Sequence, residues 1–178
     1  MNRLSFLKYG FIAVIAVLFS SCDAIEDAVS FKVNYDTSFT VPATTVVNVP
    51  ISLNTPDIDT SSSSGFESNN SSKDLIKTLY LSQLDLTITS PDTEDFSFLE
   101  QVSVSIASEG LETIEIASAS TIDPEATTLS LAVGETDLAP YIKADAFRLE
   151  FSTTTDETIA SDIDMDVAIA FEVTPEIL

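Results

Sequence analysis

The chain has 178 residues, with seven Lys and Arg against 29 Asp and Glu, one Cys, no His and no Trp. A formal net charge of −22 argues against nucleic acid as a partner, because such binding neutralises phosphates with Lys and Arg. Without His, Ser-His-Asp and Cys-His catalysis and the usual zinc sites are ruled out. Without Trp, the commonest sugar-stacking side chain is missing.

The first ten residues carry Arg3 and Lys8 and no acid, and residues 11–19 are an unbroken apolar run. A charged start, a short apolar middle and a small-residue exit make a secretory signal. The run is too short to span a bilayer, which takes ~20 apolar residues in a helix. Ser20 and Ser21 lead directly into Cys22, the only cysteine. This segment resembles the lipobox of bacterial lipoproteins, in which an apolar residue and two small ones precede an acylated Cys. Phe19 stands where Leu is usual, and Leu18 lies one place early. The resemblance implies cleavage before Cys22, a thioether-linked diacylglycerol on its sulfur and an acylated amine. Such chains attach the protein to a membrane, since each buried CH₂ contributes ~0.8 kcal/mol and two chains already hold firmly.

Asp23, Glu26 and Asp27 follow the anchor. In lipoproteins of the Bacteroidetes type, acids here resemble a signal for display on the outer face of the outer membrane. In enterobacterial lipoproteins, Asp directly after the Cys implies retention at the inner membrane. The expectation is an outer-membrane, surface-exposed protein, with the periplasmic face as the alternative. The segments are then a signal peptide (1–21), an acidic tether (22–28) and a folded body (29–175). Beyond residue 21 only Lys32, Lys73, Lys77, Lys143 and Arg148 oppose all 29 acids, a net charge of −24. That balance favours solubility through mutual repulsion. A body of this size buries roughly 68–70% of its unfolded surface and folds without disulfide or metal.

In the body, Val29, Phe31, Val33 and Tyr35 alternate with polar residues, the period of a half-buried strand. Residues 39–41 and then Val47, Val49, Ile51 and Leu53 continue the pattern, with Pro42 and Pro50 placing the second strand at a sheet edge or a bend. Residues 54–73, rich in Ser, Asn and Asp, read as a long mobile loop. Residues 74–78 suggest a helical turn. Leu79 and Leu81 are out of phase with Leu84, Leu86 and Ile88, which a β-bulge near Ser82 and Gln83 would produce. Residues 90–95 are a turn. Val102, Val104 and Ile106 form an inward row, and a return through residues 111–117 after Glu109 and Gly110 makes a hairpin.

A turn over residues 122–125 precedes a strand through Leu129, Leu131 and Val133. Thr136 or Asp137 would then cap one helical turn through Tyr141 and Ile142, crossing from one sheet to the other. Phe147, Leu149 and Phe151 form the next strand, with residues 153–158 as a polar turn. Finally Ile163, Met165, Val167, Ile169, Phe171 and Val173 alternate with Asp162, Asp164, Asp166, Ala168, Ala170 and Glu172, as in a central strand. About eight strands with one or two short helical turns predict an all-β fold, an antiparallel β-sandwich of immunoglobulin-like type. A barrel is the alternative.

Three sets of residues invite a chemical reading. Asp92, Glu94 and Asp95 share a turn where carboxylates and carbonyls can converge on calcium. Asp162, Asp164 and Asp166 lie at i,i+2 spacing, roughly 6.6–7 Å apart on a strand, too far to share an ion without help from a loop. Paired carboxylates could serve glycoside hydrolysis, but among 29 acids some pair meets that spacing by chance. The expected function is therefore a non-enzymatic, lipid-anchored envelope protein without a cofactor. It would act as an interaction or accessory module for an unidentified protein or glycan partner. The alternative is a glycan-binding module assisted by calcium at Asp92, Glu94 and Asp95.

Overall fold

In the computed structural model, the described residues are 30–48, 50–63, 65–69, 71–155 and 157–176. The signal segment, Cys22 and the acidic tether lie outside them, as do Val29, Val49 and Asp156. The strands are β1 (Phe31–Val41), β2 (Pro50–Asn54), β3 (Ile58–Asp59), β4 (Ile76–Ser90), β5 (Leu99–Ala107), β6 (Ile114–Ala119), β7 (Thr128–Ser130), β8 (Ala132–Val133), β9 (Ala146–Thr155) and β10 (Ile163–Pro175). Two short helices, α1 (Gly65–Ser68) and α2 (Ala139–Lys143), accompany them.

The strands make two antiparallel sheets, ordered β1-β10-β4-β7 and β2-β9-β5-β6-β8, with β3 also paired to β9. The antiparallel β-sandwich expected from the alternation is what the chain forms. Its strand order differs from the immunoglobulin one, which would place the first two strands side by side and send the third across. Here the first strand pairs with the last over its whole length, from Phe31↔Val173 to Val41↔Ile163. Two antiparallel layers with this interleaved order make a jelly roll. In the second sheet β2 and β3 follow one another along β9, and the two-residue β8 adds a short further strand beside β6.

Each interruption has a physical cause. Between β2 and β3, the Thr55 N–H donates to the Leu149 carbonyl at 3.0 Å. The Thr55 hydroxyl accepts from the Leu149 N–H, also at 3.0 Å. A side-chain oxygen thus replaces a ladder carbonyl just before Pro56, which has no N–H to give. Between β7 and β8, the buried Leu131 donates its N–H to Leu84 at 3.0 Å, while Gly134 donates to Ile116 at 2.8 Å. One segment therefore bonds to both sheets and closes that side of the sandwich.

The core lies between the sheets. Phe171 and Val173 of β10, Leu79 and Leu84 of β4, and Val104, Ile106 and Leu149 of the second sheet are fully buried. Burying each such side chain stabilises by ~1.5–3 kcal/mol. Tyr35, Phe147 and Phe171 meet edge to face with ring centroids 5.4 to 6.1 Å apart, a favoured arrangement of aromatic quadrupoles. The predicted bulge is present: the β4–β10 register slips between Ala170 and Phe171, opposite Gln83 and Leu81. Ser82 is the extra residue, and its hydroxyl donates to the Ala170 carbonyl at 3.0 Å.

Four expectations need correction. The described part of residues 54–73 is a structured connection. It includes β3, a 3-10 turn over Thr60–Ser62 and α1, and it buries Ile58, Thr60 and Phe66. Its polar side chains tie down its turns: Asp59 accepts from the Ser61 N–H at 2.8 Å, and the Asn69 amide donates to the Gly65 carbonyl at 2.8 Å. Gly65 permits the close approach of α1 to β1, since a Cβ there would lie 3.1 to 3.2 Å from Val33 and the Lys32 carbonyl. Second, residues 153–155 continue β9, with Thr153 and Thr155 buried. The Thr153 hydroxyl donates to the Gln101 carbonyl at 2.9 Å, so a polar residue is satisfied inside. Third, the strand through Leu129, Leu131 and Val133 is split between the two sheets. Fourth, α2 does not cross between sheets, because β8 and β9 both belong to the second one. Asp137 does serve its start, accepting from the Ala139 N–H at 3.0 Å and from the Leu79 N–H at 2.9 Å.

Candidate functional site

The acid row begins just before β10. Asp162 accepts from the Ala43 N–H at 2.9 Å, tying the β1–β2 connection to the start of β10. Asp164, opposite Thr40 in the register, accepts from the Thr40 hydroxyl at 2.7 Å. Asp166 lies opposite Ser38 on one side and Thr87 on the other. Direct cross-strand partners share a face, so Asp164 and Asp166 are on the outer face of the first sheet. They border a shallow depression of about 560 Å³ with Thr40, Asn54, Pro56 and Thr89. Further along, Asp36 and Asp85 flank Ala168, whose small side chain leaves a trough between their strands. On this face the carboxylates stand among hydroxyl and amide side chains, with Lys32 opposite Glu172.

The turn acids are arranged differently. Asp95 caps the 3-10 turn over Phe96–Phe98, accepting from the Ser97 N–H at 3.1 Å. Those bonds from Ser97 hold its carboxyl below the usual carboxylate range. Asp92 is exposed, and the Glu94 N–H closes the turn on the Pro91 carbonyl at 3.1 Å. Phe96 and Phe98 are buried beneath it. Among the described residues, no three His, Cys, Asp or Glu side chains gather closely enough to hold one metal ion.

The tyrosines divide. Tyr35 is core, 3% exposed. Tyr141 is buried and donates to the Glu112 carbonyl, and burial, then the Glu112 charge, raise its pKa. Tyr80 alone of the three is exposed, on β4 opposite Glu172. One feature went unread in the sequence: outward serines of four strands fall in one line across the second sheet. Ser52 pairs with Ser152, Ser152 with Ser103, and Ser103 with Ser118. Each is an ordinary outward residue in its own strand, so alternation gives no signal of the row.

No protein-family model matches the chain, and no curated protein matches it in sequence. Among solved structures, the Cyanophage Pam1 capsid asymmetric unit is similar at 8% identity and a TM-score of 0.37, with 80% of this chain and 84% of that chain covered. The crystal structure of FLHE is similar at 9% identity and a TM-score of 0.34, covering 79% of this chain and 96% of that one. Desmodium yellow mottle tymovirus gives 13% identity and a TM-score of 0.30, covering 84% and 90%. At these values the likeness carries no inference for this chain, whose strand order stands on its own ladders. No helix among the described residues is long and apolar enough to cross a membrane.

Proposed function

We propose that the protein is a lipid-anchored envelope lipoprotein, held to the outer membrane by acyl chains on Cys22, whose sandwich works as a non-enzymatic interaction or accessory module at the cell surface. The observation that carries this reading is the lone Cys22 at the end of an apolar export segment, with acids directly after it. The acidic segment 22–28 would then be the tether between anchor and sandwich.

The non-enzymatic part rests on residue chemistry. The chain has no His to serve as a base near neutral pH. Asp162, just before β10, and Asp164, on it, are committed to a backbone N–H and a hydroxyl. Membrane fractionation of the full chain and of Cys22→Ala tests the anchor. The wild type should partition with membranes and detergent phase, carry acyl mass on residue 22, and lose both in the variant. A Cys22→Ala chain that still fractionates with membranes would remove the proposal. Protease shaving of intact cells then separates surface display from the periplasmic face.

A further inference from the structure

β1 is the edge of the first sheet and pairs on one side only, with β10, residue for residue along its whole length. An edge strand presents a row of unpaired N–H and C=O groups, which proteins ordinarily blunt with short strands, Lys, Pro or bulges. The other edges here are blunted in that way. β2 has five residues, starts at Pro50 and gives way to Thr55 and Pro56, while β7 and β8 have three and two. β1 has eleven. Its start lies against α1, where Gly65 approaches Val33 and the Lys32 carbonyl. Residues 37–41 contain neither Lys nor Pro. Among the described residues, their backbone groups bond to nothing beyond the β10 ladder. Alternate residues there turn an N–H and a C=O away from β10.

The two sides of this edge differ. On the inner side an apolar cleft of about 20 Å³ lies between the sheets. Phe98, Val102, Phe151 and Met165 line it and are buried. Phe39 of β1 and Leu53 of β2 are its half-buried members, so its mouth lies between those two edge strands. A water-sized sphere needs ~10–15 Å³, so the cleft accepts the tip of one aliphatic side chain and not a lipid or a sugar. On the outer side, Asp164 and Asp166 stand opposite Thr40 and Ser38, and Asp36 precedes Ser38 by two residues on the same face. No Lys or Arg occurs between residues 33 and 72.

We propose that the edge of β1 over residues 37–41 is completed by an extended strand of a partner protein, which alternates apolar residues towards Phe39 and Leu53 with Lys or Arg towards Asp36, Asp164 and Asp166. Backbone pairing supplies the affinity of such an added strand, and its alternate side chains supply the specificity. Charge selects this occupant over a second copy of the chain, which would bring its own acids to the contact and be repelled. The proposal rests on the reading of the sandwich as an interaction module and names its partner class. The contact lies wholly in the sandwich, so the Cys22→Ala chain should bind as the wild type does. Failure of the anchor and failure of this edge are thus read separately.

The test uses the full chain in mild detergent and short fluorescent peptides. One peptide alternates Val with Lys. A second has the same composition with all Val before all Lys, and a third alternates Val with Glu. Fluorescence anisotropy should show binding of the first, with the second at least about tenfold weaker and the third not bound. Hydrogen exchange should slow at alternate amides of residues 37–41 with the first peptide alone. Asp36→Asn with Asp166→Asn should weaken binding about fivefold, as for two exposed ion pairs. Glu125→Gln with Glu135→Gln, an equal loss of charge away from this edge, should behave as wild type. If the aspartate variants prove unstable, the exchange pattern of the wild type decides. No binding of the first peptide, equal binding of the second or third, or unchanged exchange over residues 37–41 would each overturn the proposal. So would sedimentation that shows a dimer dissociated by the first peptide, because the edge would then belong to a second copy.

Discussion

The Tyr35 hydroxyl donates to the Thr60 carbonyl oxygen at 2.8 Å, joining residues 25 apart in the chain. The bond links β1, the edge of one sheet, to the turn that follows β3, the edge of the other. The opposite side of the sandwich is closed by β7 and β8, so this contact helps to close the side that the ladders leave open. Burial first, and then the negative charge of Asp59, push the Tyr35 pKa well above its ordinary value. The neutral phenol is therefore favoured in the folded state. Its contribution is complete below the unfolded value of ~10 and is lost as pH rises from there towards the folded value.

Tyr35→Phe keeps the ring and removes both the bond and the titrating group. At pH 7 it should lower stability by ~0.5–1.5 kcal/mol, a few degrees in Tm at ~2–4 °C per kcal/mol for a domain of this size. Between about pH 9.5 and 11.5 the wild type should lose Tm more steeply than the variant. Tyr141 also has a raised pKa but is present in both proteins, so the difference reports Tyr35 alone. Parallel pH profiles would show that the phenol does not titrate in a linked way.

Thr60 is the node of the same region. It is fully buried, and its hydroxyl donates to the Ala144 carbonyl at 2.7 Å and accepts from Lys73 at 3.2 Å. Thr60→Val leaves the Lys73 ammonium and the Ala144 carbonyl one partner short, at a cost of ~1–3 kcal/mol. Thr60→Ser retains the hydroxyl and should cost less. Urea midpoints at unchanged slope measure both, and an unaltered midpoint for the valine variant would discount the node.

Asp85 carries an unsatisfied atom. Its Oδ2 accepts from the Gln83 amide, whereas its Oδ1 is buried without a partner among the described residues. A buried unpaired carboxylate oxygen costs ~1–3 kcal/mol or more, and the acids of the same face add repulsion. Asp85→Asn keeps the shape and drops the charge. It should raise Tm by ~2–4 °C, the equivalent of about 1 kcal/mol. A lowered Tm would indicate that Oδ1 is satisfied by something that Asn cannot hold, such as a cation.

The charge imbalance itself predicts a salt response. At 10 mM salt the screening length is ~30 Å, and at 1 M it is ~3 Å. Repulsion among the acids is long-ranged, while pairs such as Arg148 with Glu150 are short-ranged, at 2.8 Å. Sodium chloride should therefore raise Tm by several degrees between these limits, most of it below about 0.2 M. A flat or falling Tm in calorimetry would show that local pairs outweigh the net charge.

Local patterns in the chain carry a good share of this. Alternation in β10 marks which residues face the core, because side chains of a strand point to opposite sides by turns. The phase slip between Leu81 and Leu84 marks the bulge, and Asp137 marks the start of α2. Cys22 owes its reading to its immediate neighbours alone. All of these are short-range facts, written in residues a few positions apart.

Neighbourhood is another matter. Alternation is the same whether Phe31 pairs with Val173, as here, or with a strand next in sequence. The choice of jelly roll over immunoglobulin order is made by how whole strands bury their inner faces together. Thr60 reads as one more polar residue in a Ser-rich stretch until Tyr35, Lys73 and Ala144 converge on it. Ser52, Ser103, Ser118 and Ser152 become a row only through three ladder registers that span the sheet. Side-chain period is a property of one strand, but register is a property of pairs, and only the closed sandwich fixes it.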